Sequence, residues 1–165
     1  MLIDLFFGDA KLQLQTEKRS EIKFVEDNSS HKNFMREFEI TLPYQNVGTQ
    51  ELTILDTWTR VYLPDEQYDK LHVSARVNDS ERLRKDDYFE AMLVPAKKGG
   101  NFVLRFTAIA RECGCEDKDY VGEALANCPE FDVAVYCECR GRKEVYIDKQ
   151  VMRLRFQDSG FRIKD

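Results

Sequence analysis

The chain has 165 residues, 42% of them hydrophobic, enough apolar surface for the core of one domain of ordinary size. Its formal charge of −5 excludes a surface coated uniformly with Lys and Arg for gripping a nucleic-acid backbone, while leaving room for a local basic patch. No stretch approaches the roughly 18 apolar residues needed to cross a bilayer, so the expectation is a soluble protein with no membrane partner.

The predicted elements begin at Leu2–Phe7, an apolar run without a basic leader or a small-residue cleavage pattern, read as a first strand rather than a targeting segment. Alternation then predicts strands over 11–16, 21–25 and 34–42. The last is the cleanest: Phe34, Phe38, Ile40 and Leu42 share one face against Met35, Glu37, Glu39 and Thr41. Further strands fit 51–63, 71–77, 88–94, 102–112, 131–140, 143–147 and 151–156. Pro64 with Asp65 and Glu66 suits a short helix start, and Tyr120, Val121, Ala124 and Leu125 within 118–127 have helical spacing. So many strands exceed one flat sheet. The expectation is a single all-β domain over 1–165, a β-sandwich or partly open β-barrel with one or two short helices.

Two hairpins are predicted in the second half. One turns at Lys97, Lys98, Gly99, Gly100 and Asn101, where glycine permits the positive φ of a tight turn. The other turns at Arg140, Gly141 and Arg142. Both tips are basic. The charge is also polarised along the chain: residues 112–139 hold eight acidic side chains against Lys118 alone, whereas residues 140–165 hold eight basic against four acidic.

The five cysteines, Cys113, Cys115, Cys128, Cys137 and Cys139, lie in one segment, and their odd number points to a reducing, intracellular setting. Cys113, Cys115, Cys137 and Cys139 would supply four thiolates to a structural zinc ion. Extended backbone opposes this, because Cys-x-Cys side chains on one strand stand about 7 Å apart. Small buried core residues are therefore the expected reading of the cysteines, with structural zinc as the alternative and no other cofactor implied.

Lys97, Lys98, Arg140, Arg142, Arg153 and Arg155 are the candidate basic surface. Arg153 and Arg155 alternate with Met152, Leu154 and Phe156, which places two guanidinium groups on one strand face. Such a face would follow a phosphate backbone while Phe102, Tyr136 or Tyr146 stacked on bases. The stretch LRKDDYFEAMLVPAKKGGNFVLRFTAIA resembles the strand, basic turn and strand of oligonucleotide-binding barrels of the OB class, which implies single-stranded nucleic acid as a partner. The bland reading of the same arginines is a solvated face paired with nearby carboxylates.

An enzyme is not expected. His31 and His72 lie outside any nucleophile motif, and phosphate-cradling loops and paired-histidine motifs are missing. Asp9 followed by Glu21 and Lys23 has the residue types of a metal-dependent nuclease but no specific spacing. The sequence thus points first to a non-enzymatic interaction or assembly protein that docks onto a protein partner or self-associates. A single-stranded nucleic-acid binder comes second and a nuclease last.

Overall fold

The computed structural model describes residues 9–26, 32–79, 89–112, 118–142 and 144–156. The strand expected over 2–7, and His31, Cys113 and Cys115, lie outside the described residues. Strands are β1 (Leu12–Leu14), β2 (Lys23–Phe24), β3 (Met35–Asn46), β4 (Leu52–Tyr62), β5 (Leu71–Asp79), β6 (Met92–Val94), β7 (Gly99–Ala110), β8 (Glu130–Arg140) and β9 (Val145–Arg155), with helix α1 at Tyr120–Ala126. All ladders are antiparallel. Sheet I runs β1-β3-β7-β5, with β2 also on β3; sheet II runs β6-β4-β8-β9. The all-β class expected from alternation is what the chain adopts.

Alternation builds the core directly. The register sets Phe38 against Phe106, Ile40 against Leu104 and Leu42 against Phe102, so one face of sheet I is continuously apolar. Sheet II answers with Leu52, Ile54, Val133, Val135, Met152 and Leu154, all buried in the same core. Aromatic rings join the two layers. Phe38 stacks on Phe106 at 4.8 Å and meets Phe156, just past the end of β9, edge-on at 5.2 Å, while Phe131 of sheet II packs against Phe106 at 6.0 Å.

Along one side the sandwich curls toward a half-barrel. Beyond Ile54, β6 no longer covers the edge of β4, and β5 approaches it instead. There the Thr59 hydroxyl donates to Ala75 O at 2.7 Å, and that of Thr57 to Val77 O at 3.4 Å. At one end Asn46 is fully buried and fully used. Its Nδ2 donates to Gln50 O (2.8 Å) and Val94 O (3.1 Å), and its Oδ1 accepts from Gly48 N (3.0 Å) and Lys11 N (3.3 Å). One amide thereby ties the approach to β1, the β3–β4 loop and the end of β6.

Several expected details change. The strand beginning near Phe34 runs on through Pro43 to Asn46. Pro43 O accepts from Gln15 N at 2.8 Å, so the face of Pro43 that lacks an N–H points to the frayed end of β1 rather than to the β7 ladder. The two strands expected at 143–147 and 151–156 are one, because Asp148, Lys149 and Gln150 stay paired with Cys137, Tyr136 and Val135. The turn at Lys97 is not a hairpin: β6 belongs to sheet II and β7 to sheet I, so the chain crosses between layers and the OB-like hairpin is not formed. Its positive φ falls on Lys97 (64°), next to a Lys98 N–H to Pro95 O bond of 3.1 Å. Gly99 serves a different need, since a Cβ there would sit 2.2 Å from Tyr44 O. Pro64 begins only a single 3-10 turn, Asp65–Gln67, whereas α1 is a true short helix whose cap Asp119 accepts from Gly122 N at 3.0 Å.

Replacing Asn46 with Ala leaves several buried backbone groups without partners, and a loss on the order of 3 kcal/mol is expected. Urea denaturation followed by circular dichroism measures it; a change below about 1 kcal/mol would show that water readily takes over the role of the amide.

Candidate functional site

The outer face of sheet II is created by a bulge. Between Ile54 and Asp56 the β4–β8 register slips by one residue. Without the slip, the phase of Leu52 and Ile54 would carry Asp56, Trp58, Arg60 and Tyr62 into the core. With it, Thr57, Thr59 and Val61 turn inward and Asp56, Trp58, Arg60 and Tyr62 are exposed. Across the strands the register forms rows: Trp58, Tyr136 and Lys149; Arg60, Ala134 and Val151; Asp56, Glu138 and Ile147.

The central row is aromatic. Trp58 and Tyr136 lie parallel, 3° apart in plane, with centroids at 5.4 Å, and the Lys149 ammonium stands 5.5 Å from the Tyr136 ring. Hydrogen bonding to Tyr136 and Arg60 lowers the Tyr62 phenol below its ordinary range. Ala134 points to this face and is outside the inter-sheet core, yet it is fully buried, so the large side chains around it close over it. Ile147 (59% exposed), Val151 (53%) and Val145 (53%) extend the apolar surface along β9.

The sequence-predicted basic residues form two groups, not one. Arg140 and Arg142 lie at the β8–β9 turn, at the same end of the sandwich as Lys97 and Lys98, which follow β6 where it pairs with the start of β4. The Lys97 ammonium donates to Val47 O at 2.6 Å. Arg153 and Arg155 sit toward the other end of β9, eight residues or roughly 26 Å from the Arg140 row. They are paired there: Arg153 Nε with Asp132 at 3.0 Å and Arg155 Nε with Glu130 at 3.2 Å. Of the proposed stacking rings, Phe102 is buried, and Tyr146 donates its hydroxyl to Ala10 O at 3.0 Å. Tyr136 belongs to the outer face.

Cys137 and Cys139 point into the core from alternate positions of β8, fully buried, as is Cys128. Burial pushes the Cys137 thiol far up, and holds Cys139 at about 12 and Cys128 at about 11. Among the described residues no three His, Cys, Asp or Glu side chains are grouped to hold a metal. The nuclease set is dispersed: Asp9 O accepts from Thr49 N beyond the end of β3, while Ser20 N donates to Thr41 O, so Glu21 is about 17 Å or more away along β3. His72 is an exposed residue of β5 opposite Ile109.

Sequence reasoning missed Trp58, Tyr62, Ile147 and Val151 as surface residues. In TWTRVY both phases contain apolar side chains, so the bulge that chooses between them leaves no mark in the pattern.

The sequence matches no protein-family model and no curated protein. Among solved structures, a Bordetella pertussis protein described as ApaA is 9% identical, with 88% of this chain and 94% of that chain covered, at a TM-score of 0.43. The GAE domain of GGA2p from Saccharomyces cerevisiae is 14% identical over 88% and 96%, at 0.36. The apo PCuAC domain of PmoF1 is 12% identical over 88% and 92%, at 0.37. No helix among the described residues is long and apolar enough to cross a membrane.

The buried thiols predict an alkaline limit to stability. Their folded pKa values lie above the ordinary 9.0, so the unfolded chain releases these protons first. Their contribution is complete below pH 9 and lost as pH rises from 9 toward about 12, with the Tyr146 phenol, also held at about 12, adding to the upper part. Urea midpoints should fall across that window, and Cys139→Ala should make the fall shallower whatever it does to the midpoint at pH 8. An unchanged slope would remove Cys139 from the explanation.

Proposed function

We propose that this protein is a non-enzymatic docking module and that the outer face of sheet II meets another polypeptide, a second copy of the chain in the simplest case. The observation that carries the reading is the exposed parallel stack of Trp58 on Tyr136, set in a run of exposed apolar side chains that no other described part of the chain covers. Aromatic rings rimmed by charge are the usual anchors of protein interfaces. They contribute nothing to the inter-sheet core here.

The charges around the stack suit a face-to-face pair. Asp56 lies one row before Trp58 and Arg60 one row after it. A two-fold axis running across the strands at Trp58 would set Asp56 of each copy against Arg60 of the other, and Ile147 against Val151. Lys149 lies on the axis row and faces its own copy across a gap of about 10 Å between sheets, with its ammonium drawn over its own Tyr136 ring and its alkyl stem left to the interface. The two-group placement of the basic residues gives no comparable support to nucleic-acid binding.

Sedimentation across about 1–100 µM, a range that brackets micromolar association, should show a dimer. Trp58→Ala should weaken it by about 30-fold or more, the loss of an anchor worth about 2 kcal/mol. The urea midpoint should barely move, because Trp58 is outside the core. A strict monomer throughout would overturn the self-docking form of the proposal. Salt-sensitive binding of a labelled single-stranded oligonucleotide would favour the nucleic-acid reading instead.

A further inference from the structure

The backbone edge of β9 adjoins the aromatic face and shares the side chains of Ile147, Lys149 and Val151 with it. The strand is eleven residues long and, among the described residues, pairs on one side only, with β8. Arg153 O accepts from Arg19 Nη2 at 2.9 Å, so the backbone groups of Arg153 point away from β8. In an antiparallel ladder that orientation alternates, and the N–H and C=O groups of Val151, Lys149 and Ile147 therefore share the outer edge, where the Lys149 N–H is held by the Asp148 carboxyl until an incoming carbonyl takes its place. Arg19 occupies the edge at Arg153, and a cleft of about 360 Å³ lined by Arg19, Ser20, Ile22 and Leu154 follows it. Among the described residues no strand pairs with the stretch from Val145 to Val151.

We infer that this edge accepts an extended acidic peptide segment of a protein partner, added as a fifth strand of sheet II beside Ile147, Lys149 and Val151. The chemistry of the edge sets the pattern of that segment. Outward-facing positions beside Ile147 and Val151 take apolar side chains, since both residues are more than half exposed, and the position between them takes a carboxylate opposite Lys149. The inward-facing positions lie next to Asp148 and Gln150 and take hydrogen-bond donors. Gln150 and the Lys149 N–H hydrogen-bond the Asp148 carboxyl, but its Oδ2 is buried without a partner, and burial raises the carboxyl above the ordinary range despite the nearby charge of Lys11. A threonine hydroxyl from an added strand supplies the missing donor. A second copy fits poorly, because self-pairing centred on the free stretch sets Asp148 against Asp148 at about 5 Å, and a shift of the centre by one residue sets Lys149 against Lys149.

The probe is the blocked peptide Thr-Val-Thr-Glu-Thr-Val-Thr, with two controls: its Glu→Lys form, and a form N-methylated at alternate residues on its pairing edge. At peptide concentrations on the order of 1 mM, the amides of Ile147, Lys149 and Val151 should become protected from hydrogen exchange while those of β3 stay unchanged. Either control should bind at least about tenfold more weakly, and Lys149→Glu should invert the preference between the Glu and Lys peptides. Val151→Pro removes one edge donor at a position whose N–H faces solvent and should also weaken binding tenfold. No protection at β9, equal binding of the N-methylated peptide, or concentration-dependent protection of β9 without peptide would each overturn the inference. The last result would assign the edge to a second copy. Trp58→Ala leaves this binding intact, which separates it from docking at the aromatic face.

Discussion

The contact on which the fold depends is the meeting of Phe38 and Phe106 with Phe131 and Phe156. Each sheet brings a strip of apolar side chains, but strips become one core only where large groups reach across the gap of about 10 Å between layers. Phe38 does this while fully buried, touching Phe106 beside it and Phe156 and Phe131 opposite. Further along the same sheet Tyr44 stacks on Phe102 at 4.2 Å, and the buried Asn46 amide closes that end with hydrogen bonds instead of apolar area. The sandwich is thus fastened by rings at one end and by an amide at the other.

That division explains why the outer face of sheet II is free to do something else. Inner positions supply the apolar burial that folding needs, so Trp58, Tyr62, Ile147 and Val151 are surplus to it. Fully burying a side chain of this size stabilises by about 1.5–3 kcal/mol, and the folded chain forgoes about half of that at Ile147 and Val151 and a smaller share at Trp58 and Tyr62. The bulge at Ile54 and Asp56 is the device. It keeps two charged residues out of the core and, in the same step, turns Trp58 and Tyr62 outward into the row with Tyr136. Local strand chemistry and surface chemistry are therefore fixed by one irregularity.

Much of the architecture was legible because alternation reports burial directly. Phe38, Ile40 and Leu42 and the run Val133, Val135, Cys137 and Cys139 read as inward faces, and they are. The features that define the site are those alternation cannot carry. A bulge changes the phase within a strand whose two phases both contain apolar residues. Whether Pro95 to Lys98 closes a hairpin or crosses between sheets depends on which neighbours β6 and β7 find, and β6 finds β4 far back in the chain. Asn46 lies beyond the strand predicted over 34–42 and carries no mark in the sequence, since nothing local shows that four groups from three segments converge on it. The basic tips and Arg153 with Arg155 looked continuous in sequence, but the length of β9 separates them and Glu130 and Asp132 neutralise one group.

The two sides of the sandwich differ in how they are closed, and the difference follows from side-chain size. On the β4–β5 side, Thr57 and Thr59 are short, and the strands come near enough for hydroxyls to reach carbonyls across the gap. On the β9 side the inward residues are Tyr146, Asp148 and Gln150, which are longer and polar. Tyr146 reaches Leu12 N and Ala10 O through its hydroxyl and thereby spaces β9 from β1 by the length of a phenol. At that spacing the backbones of β9 and β1 cannot pair, so among the described residues β9 stays an edge although a strand of the other sheet lies alongside. Asp148 falls in the same gap, where Gln150 and the Lys149 N–H serve its carboxyl but Oδ2 is left without a partner. The open backbone edge and the unpartnered Asp148 Oδ2 thus have one cause, the tyrosine strut that holds the seam apart. A strand entering the seam would satisfy both without moving the core.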